Sequence, residues 1–416
     1  MMGKLVRFEL KKIWGSRFLC LALCVLLIIN VTLLCGTKDW MEIQSIAQSG
    51  MEVGEEYGTF WRAMETMRKT TEIFRTAYAP FANATPEEIE RFASLAKEKY
   101  GDDIFEVDFL EPTEEMLNSH SFFDVSRNDY SVIHDYRDIL WTNGSAEEAR
   151  ERVVEAAKQY GRDALEKGDD YGVRRNQTLI RLYSAPRQRF TTPVRSWGIF
   201  LFDNPSMLFV FLLLLLACSG SVSGENDRRT ALLLHTSRNG KGKTLAAKYL
   251  SGAISAVGLV LLFQLAAVGA IWFNCGLLGL SQPVFALSEL LLCPWPITVW
   301  QYLLCSLGCQ MLSAVILSSL LLSVSALGRT NLLSYGIGAV LLGLTLLPVY
   351  VLPKTEWLAG PLALSDPVRF FERYYDADIF GFPVPWVIVL TLLWTAFAAA
   401  MAILAAKVYH RKGKVV

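Results

Sequence analysis

Phe18 to Gly36 runs without a single charged side chain. A bilayer's hydrocarbon core is about 30 Å thick, and a helix needs roughly 20 apolar residues to cross it. Long apolar runs return at Ile199–Val222, Tyr249–Cys275, Ile297–Leu327, Leu332–Leu352 and Pro385–Val408. The expected class is therefore an all-α membrane protein with six transmembrane helices. A mean hydropathy of +0.32 fits that class. The formal net charge is zero, which argues against nucleic acid as a partner. No small-x-small cleavage site follows the first run, so it reads as an uncleaved span rather than a signal peptide. Leu33-Leu34-Cys35-Gly36 is a poor lipoprotein box, because Leu34 is large where a small residue is needed.

Charge sets the orientation. Residues 1–17 hold Lys4, Arg7, Lys11, Lys12 and Arg17 against one acid, Glu9. Leu5, Phe8, Ile13 and Trp14 recur at near-helical spacing. This reads as a basic amphipathic helix on the inner membrane surface. Between the second and third runs, Arg228, Arg229, Arg238, Lys241, Lys243 and Lys248 make the most basic loop of the second half of the chain. The turn Gly328–Asn331 adds Arg329, and the tail 409–416 adds Arg411, Lys412 and Lys414. The outer loop Gly276–Pro296 has no Lys or Arg, and Pro353–Pro383 has Lys354, Arg369 and Arg373. The positive-inside rule then places both termini in the cytoplasm, and a bacterial cytoplasmic membrane is expected.

Residues 37–197 differ in kind: they are polar, acid-rich and free of cysteine. A disulfide-stapled outer domain is thereby excluded. Helix signals are strong. Thr85-Pro86-Glu87-Glu88 offers an N-cap, a proline at the first helical position and an acid three residues on. Ser145-Ala146-Glu147-Glu148 repeats the box after the Asn143-Gly144 turn. Long amphipathic helices are expected over Trp40–Tyr78 and Ser145–Lys167, and strand alternation is scarce. The prediction is a mostly helical extracytoplasmic domain. Within the outer stretch 276–296, Val284–Cys293 is too short to cross. A Cys275–Cys293 pair across this stretch is left open.

Chemistry is sparse. Ser237–Thr244 ends like a phosphate loop, but Ser237 holds the first glycine position and no core strand precedes it. His120, His134, His235 and His410 are scattered, which gives no metal site. No nucleophile elbow or zincin motif is present. No catalytic residue, cofactor or metal is therefore expected, and a membrane-embedded hydrolase is disfavoured. The predicted span interiors lack the ionisable groups that ion-coupled transporters need. Asn30, Gln264, Asn274 and Gln310 are their main polar side chains, suited to bonds across helices. Gly220, Gly224, Gly336, Gly338 and Gly343 permit close helix approach, as at a dimer seam.

A transporter layout without an engine points to a soluble motor subunit. The run Glu225, Thr230, Leu232-Leu233, Thr236-Ser237-Arg238 and Lys248 resembles the cytoplasmic loop after the second span of ABC transporter type-2 permeases. The opening residues 2–18 resemble that family's amino-terminal elbow helix. The family's Glu-x-x-x-Gly-Thr carries Arg229 in place of glycine here. The large insertion 37–197 resembles members with an extracytoplasmic domain after the first span. The resemblance implies a permease subunit docked to an ATP-binding subunit, together with a second copy or a partner permease. It implies ATP hydrolysis on the partner, not on this chain. Leu232, Leu233 and Leu234 would make the apolar contact, Arg238 would fix register, and Glu225 would hold the helix start. Export of an amphipathic cargo, such as a peptide, drug or lipid, is expected. Mechanical signalling through the outer domain is the alternative.

Overall fold

The structure, a computed structural model, describes residues 2–35, 144, 146–188, 197–198, 201, 204–227, 242–275, 280–328, 330–350 and 360–412. The expected helix Trp40–Tyr78, the box at Thr85 and the loop interior 228–241 lie outside the described residues. The described helices are α1 (Met2–Trp14), α2 (Arg17–Cys35), α3 (146–166), α4 (Asp170–Tyr183), α5 (Ser206–Cys218), α6 (Ser223–Asp227), α7 (Lys243–Cys275), α8 (Val299–Leu327), α9 (Asn331–Tyr350), α10 (Val368–Phe371) and α11 (Trp386–Lys412). One hairpin, β1 (Asp376–Ile379) with β2 (Phe382–Pro385), joins α10 to α11.

Five stretches are long and apolar enough to cross a membrane: Arg17–Leu34, Ser206–Glu225, Lys243–Trp272, Val299–Leu327 and Trp386–Arg411. This is the architecture of a helical, multi-pass membrane protein. α9 is also apolar, and its side chains are described as far as Leu346.

α5 sits at the centre. Val210, Phe211, Leu213 and Leu214 are all fully buried, and Leu208, Leu212, Leu215 and Leu216 on the remaining side are partly buried. It packs on α2, α7, α8 and α9. α2 and α11 lie at the rim and expose Leu21, Ile28, Leu392 and Ile403. Lipid tails are as apolar as leucine, so close packing and interhelical hydrogen bonds hold such a bundle. Those bonds are present. Asn30 Nδ2 donates to Ser206 Oγ at 3.0 Å. Asn204 Nδ2 donates to Gln264 Oε1 at 3.0 Å, and Gln264 Nε2 donates to Gln310 Oε1 at 2.8 Å. These amides tie α2, α5, α7 and α8 together, as the sequence suggested for Asn30, Gln264 and Gln310. The Asn274 side chain lies outside the described residues.

The helix of the second apolar run breaks after Cys218, where Ser219-Gly220-Ser221 supplies weak helix formers. The freed amides of Val222 and Ser223 donate to Ser325 Oγ of α8 at 3.0 and 3.1 Å. Two of the candidate seam glycines are filled by the chain itself. A Cβ on Gly220 would meet Asn331 and Tyr335, and one on Gly338 would meet Ser219 and Leu215.

At the other end, residues 280–298 fold as a lid of two short 3-10 turns, Val284–Ala286 and Ser288–Leu290. A bridge between Pro283 and Thr298 closes it. Val284 and Leu290 are buried under it, and Cys293 is a buried free thiol.

α3 matches the helix expected over Ser145–Lys167. Gly168 follows it at φ 69°, a conformation that favours glycine, and Asp169 caps α4 by accepting from Gly172 N at 3.0 Å. The hairpin was not foreseen. Its two-residue turn, Phe380-Gly381, has φ of 53° and 78°, as a type I′ turn requires. Asp376 at its base accepts from Tyr171 Oη at 2.8 Å and from Arg175 Nε at 2.9 Å, so α4 rests on the hairpin.

Candidate functional site

The basic loop leaves the bundle at α6 and returns at α7, and both ends are locked by buried charge. Lys248 lies in the second turn of α7, which starts at Lys243 rather than at the predicted Tyr249. Its side chain is 1% exposed. The ammonium donates to Glu9 Oε2 at 2.9 Å, to Glu225 Oε1 at 2.7 Å and to the Ser221 carbonyl at 3.2 Å. Three donors meet three acceptors, so the cation is fully satisfied. Lys12 donates to the same oxygen of Glu225. Two acids and two bases thus form a neutral cluster drawn from α1, α6 and α7.

Each residue is positioned for a local reason. Val6 and Glu9 lie on the buried edge of α1, which packs on α7. Glu225 sits in the first turn of α6, where the helix dipole favours an acid. Lys248 stands near the amino end of α7, where that dipole disfavours a cation. Two carboxylates offset this. Burying such ions costs several kcal/mol each, and the cost is met only when their bonds are complete.

Further contacts converge on the loop ends. Asp227 Oδ2 accepts from Asn331 N at 2.8 Å, which binds α6 to the start of α9. Ser223 Oγ donates to Asn331 Oδ1 at 3.3 Å. Val222, Leu245, Ala326, Ala405 and Tyr409 form one buried apolar cluster, which brings in the end of α11. A Cβ on Gly242 would lie 3.6 Å from the His410 ring. The α1 helix, both loop ends, the α8–α9 turn and the end of α11 therefore share one face of the bundle.

Of the residues singled out from the sequence, Glu225 and Lys248 meet in this cluster. Thr230, Leu232, Leu233, Leu234 and Arg238 lie outside the described residues. Lys248 faces inward, so what it does in this structure is bind the loop to α1 and α6. Glu9, Lys12, Ser325 and Asn331 were not anticipated as site residues. Glu9 had a legible signal: it is the one acid of a basic helix. Among the described residues, no group of three His, Cys, Asp or Glu side chains could hold a metal ion.

No family model, no curated protein and no solved structure matches this chain.

Proposed function

We propose that this chain is the permease subunit of an ATP-driven exporter, and that its basic loop is the docking element for a separate ATP-binding subunit. One observation carries the reading: Lys248, Glu225 and Glu9 clamp the loop ends to the bundle and to α1. A loop so fastened passes a push on its tip into α7, α6 and the elbow helix together. A freely hinged loop would absorb the push. Two discrete packings of the spans would then alternate as ATP closes the motor.

In this reading α9 is the fifth of six spans, and an even number of crossings agrees with both chain ends packing at the loop face. That face is cytoplasmic by its charge, in a bacterial plasma membrane. The permease works with a second copy or a related permease, moves an amphipathic peptide, drug or lipid, and hydrolyses no ATP itself. Leu232, Leu233, Leu234 and Arg238 make the contact with the motor in this reading, with Thr230 in the same docking stretch.

The test is co-purification with a candidate ATP-binding subunit. Leu233→Asp is expected to abolish capture while membrane insertion and melting temperature stay at wild-type values. Undiminished capture would rule the assignment out.

A second reading, ATP-driven signalling without transport, draws on the α4–hairpin contact. Tyr171 and Arg175 on α4 grip Asp376, ten residues ahead of the start of α11. That contact is a direct mechanical link between the outer domain and a span. Vesicles loaded with cargo, motor and ATP separate the two readings: the permease accumulates or expels cargo, and the signaller does neither.

A further inference from the structure

Arg187 follows α4, at the base of the outer domain. All three of its guanidinium nitrogens are shielded from solvent, and none meets a hydrogen-bond partner among the described residues. Burial lowers the pKa of Arg187, and the charge of nearby Arg150 lowers it further. Arg150 cannot serve it as a partner. It is a cation, and its own fork is spent on the Tyr183 carbonyl, at 3.2 and 2.7 Å, and on the Ala185 carbonyl, at 2.7 Å. The other groups that bear on Arg187 are the Cys293 thiol and the Tyr183 hydroxyl. The hydroxyl is directed away, donating to the Leu292 carbonyl at 2.8 Å. The thiol is protonated at neutral pH, since burial pushes its pKa to about 11.

Two guanidinium groups, Arg187 shielded and Arg150 partly buried, therefore bear on each other. Glu147 acts on Arg150, whereas among the described residues no carboxylate is among the groups that bear on Arg187. Folded chains rarely leave such a group unmatched, because an uncompensated buried charge is strongly destabilising. Structural pairing does not account for this one, whereas every hydrogen of Lys248 is answered at the opposite end of the bundle. A planar fork with its donors unspent is shaped for two oxygens of one oxyanion.

We propose that Arg187, reinforced by the field of Arg150, is the binding site for an oxyanion, a phosphate or carboxylate group, between the outer domain and the lid 280–298. The site stands on its own geometry and does not require the permease reading. Arg187 would grip the anion in bidentate fashion. Arg150 would stay on the backbone carbonyls and contribute charge at a distance. The group reaches the site either on a soluble molecule or on a lipid head at the outer membrane surface.

The test is thermal melting of the purified full chain in phosphate-free, delipidated detergent, without any ATPase, at matched ionic strength in chloride. Millimolar inorganic phosphate and micellar phosphatidylglycerol are the two probes, applied separately. Without either probe, Arg187→Gln is expected to melt at or above wild type, because the substitution removes an unmatched charge. A probe is expected to raise the wild-type melting temperature by several degrees and leave Arg187→Gln unmoved. Arg187→Lys keeps the charge but not the fork, and is expected to bind the active probe about tenfold more weakly. A response to phosphate assigns a soluble oxyanion, and a response to phosphatidylglycerol alone assigns a lipid head. The proposal is overturned if neither probe shifts wild type. It is equally overturned if Arg187→Gln or Arg187→Lys shifts as much as wild type does. Because no motor is present, either failure leaves the permease reading untouched.

Discussion

Lys248 of α7 and Glu9 of α1, 239 residues apart in sequence, meet at 2.9 Å with 1% and 6% of their side chains exposed. The pair ties the amino terminus to the return of the basic loop. Lys248→Met would leave Glu9 and Glu225 facing each other without their shared cation. Breaking one partner of a buried ion cluster costs about 3–5 kcal/mol. Glu9→Gln is milder, since Glu225 and the Ser221 carbonyl still hold the ammonium. The double variant is expected to lose less than the sum of the singles, with a coupling of about 0.5–3 kcal/mol. Chemical denaturation of the four chains in detergent measures it. Strict additivity would mean that the pair does not interact.

Gly338 and Gly336 lie two residues apart on α9 in opposite situations. A Cβ at Gly338 would come within 2.8 Å of Ser219 Oγ, 2.9 Å of Leu215 Cδ1 and 3.1 Å of Leu321 Cδ2. Nothing lies within 4 Å of a Cβ at Gly336. Gly338→Ala must push α9 away from α5 and α8 together, an overpacking cost of about 1–3 kcal/mol. Gly336→Ala should be neutral or stabilising by up to about 1 kcal/mol, because alanine is the better helix former. Melting temperatures of the two single variants decide the matter, and equal values would show that the close contact at Gly338 is not real.

Tyr183 gives the packing of α4 on the 280–298 segment a pH dependence of definite sign. Burial, the main cause, pushes its pKa up from 10.0 to about 12. The folded state therefore keeps the proton where the unfolded chain releases it. Stability is unaffected by this group below pH 10 and falls as pH rises from 10 toward 12. Two pH units correspond to at most about 3 kcal/mol. Tyr183→Phe loses the bond to the Leu292 carbonyl, worth about 1 kcal/mol at neutral pH. Phenylalanine does not titrate, so the gap between variant and wild type should narrow or reverse in strong base. A gap of constant width across a melting series from pH 8 to 12 would count against the argument.

The spans were legible because length and the absence of charge are one-dimensional signals, and helix 146–166 was legible from its cap at Ser145. The clamp was half legible. Glu225 and Lys248 stood out by charge at the loop ends, but their inward direction depends on where α7 begins. Lys243 begins it, a turn and a half ahead of the apolar boundary at Tyr249, and that shift takes Lys248 inside. The hairpin escaped notice because Phe380 occupies a positive-φ turn position usually held by Asn, Asp or Gly. The glycines at 220 and 338 were legible as close-approach sites. Their partners were not, since spacing alone cannot tell a seam within one chain from a seam between two.

Asp376 decides how firmly α4 is coupled to the hairpin that leads into α11. It is 2% exposed and takes both the Tyr171 hydroxyl and the Arg175 guanidinium. Arg174 adds a cation–π contact, 4.3 Å above the Phe382 ring. Asp376→Ala leaves Arg175 without its carboxylate and should cost about 1.5–3 kcal/mol locally, by the usual worth of a bond to a charged group. The loss is expected to stay at the junction, because the side chains that Asp376 holds, Tyr171 and Arg175, both belong to α4. Hydrogen exchange should therefore quicken in residues 170–183 and stay unchanged in α5 and α8. If the chain signals mechanically, this variant silences the outer partner while ATP turnover continues. If it exports cargo through the spans, transport survives with the outer domain loosened. Slow exchange over 170–183 in Asp376→Ala would show that α4 is held by something other than this contact.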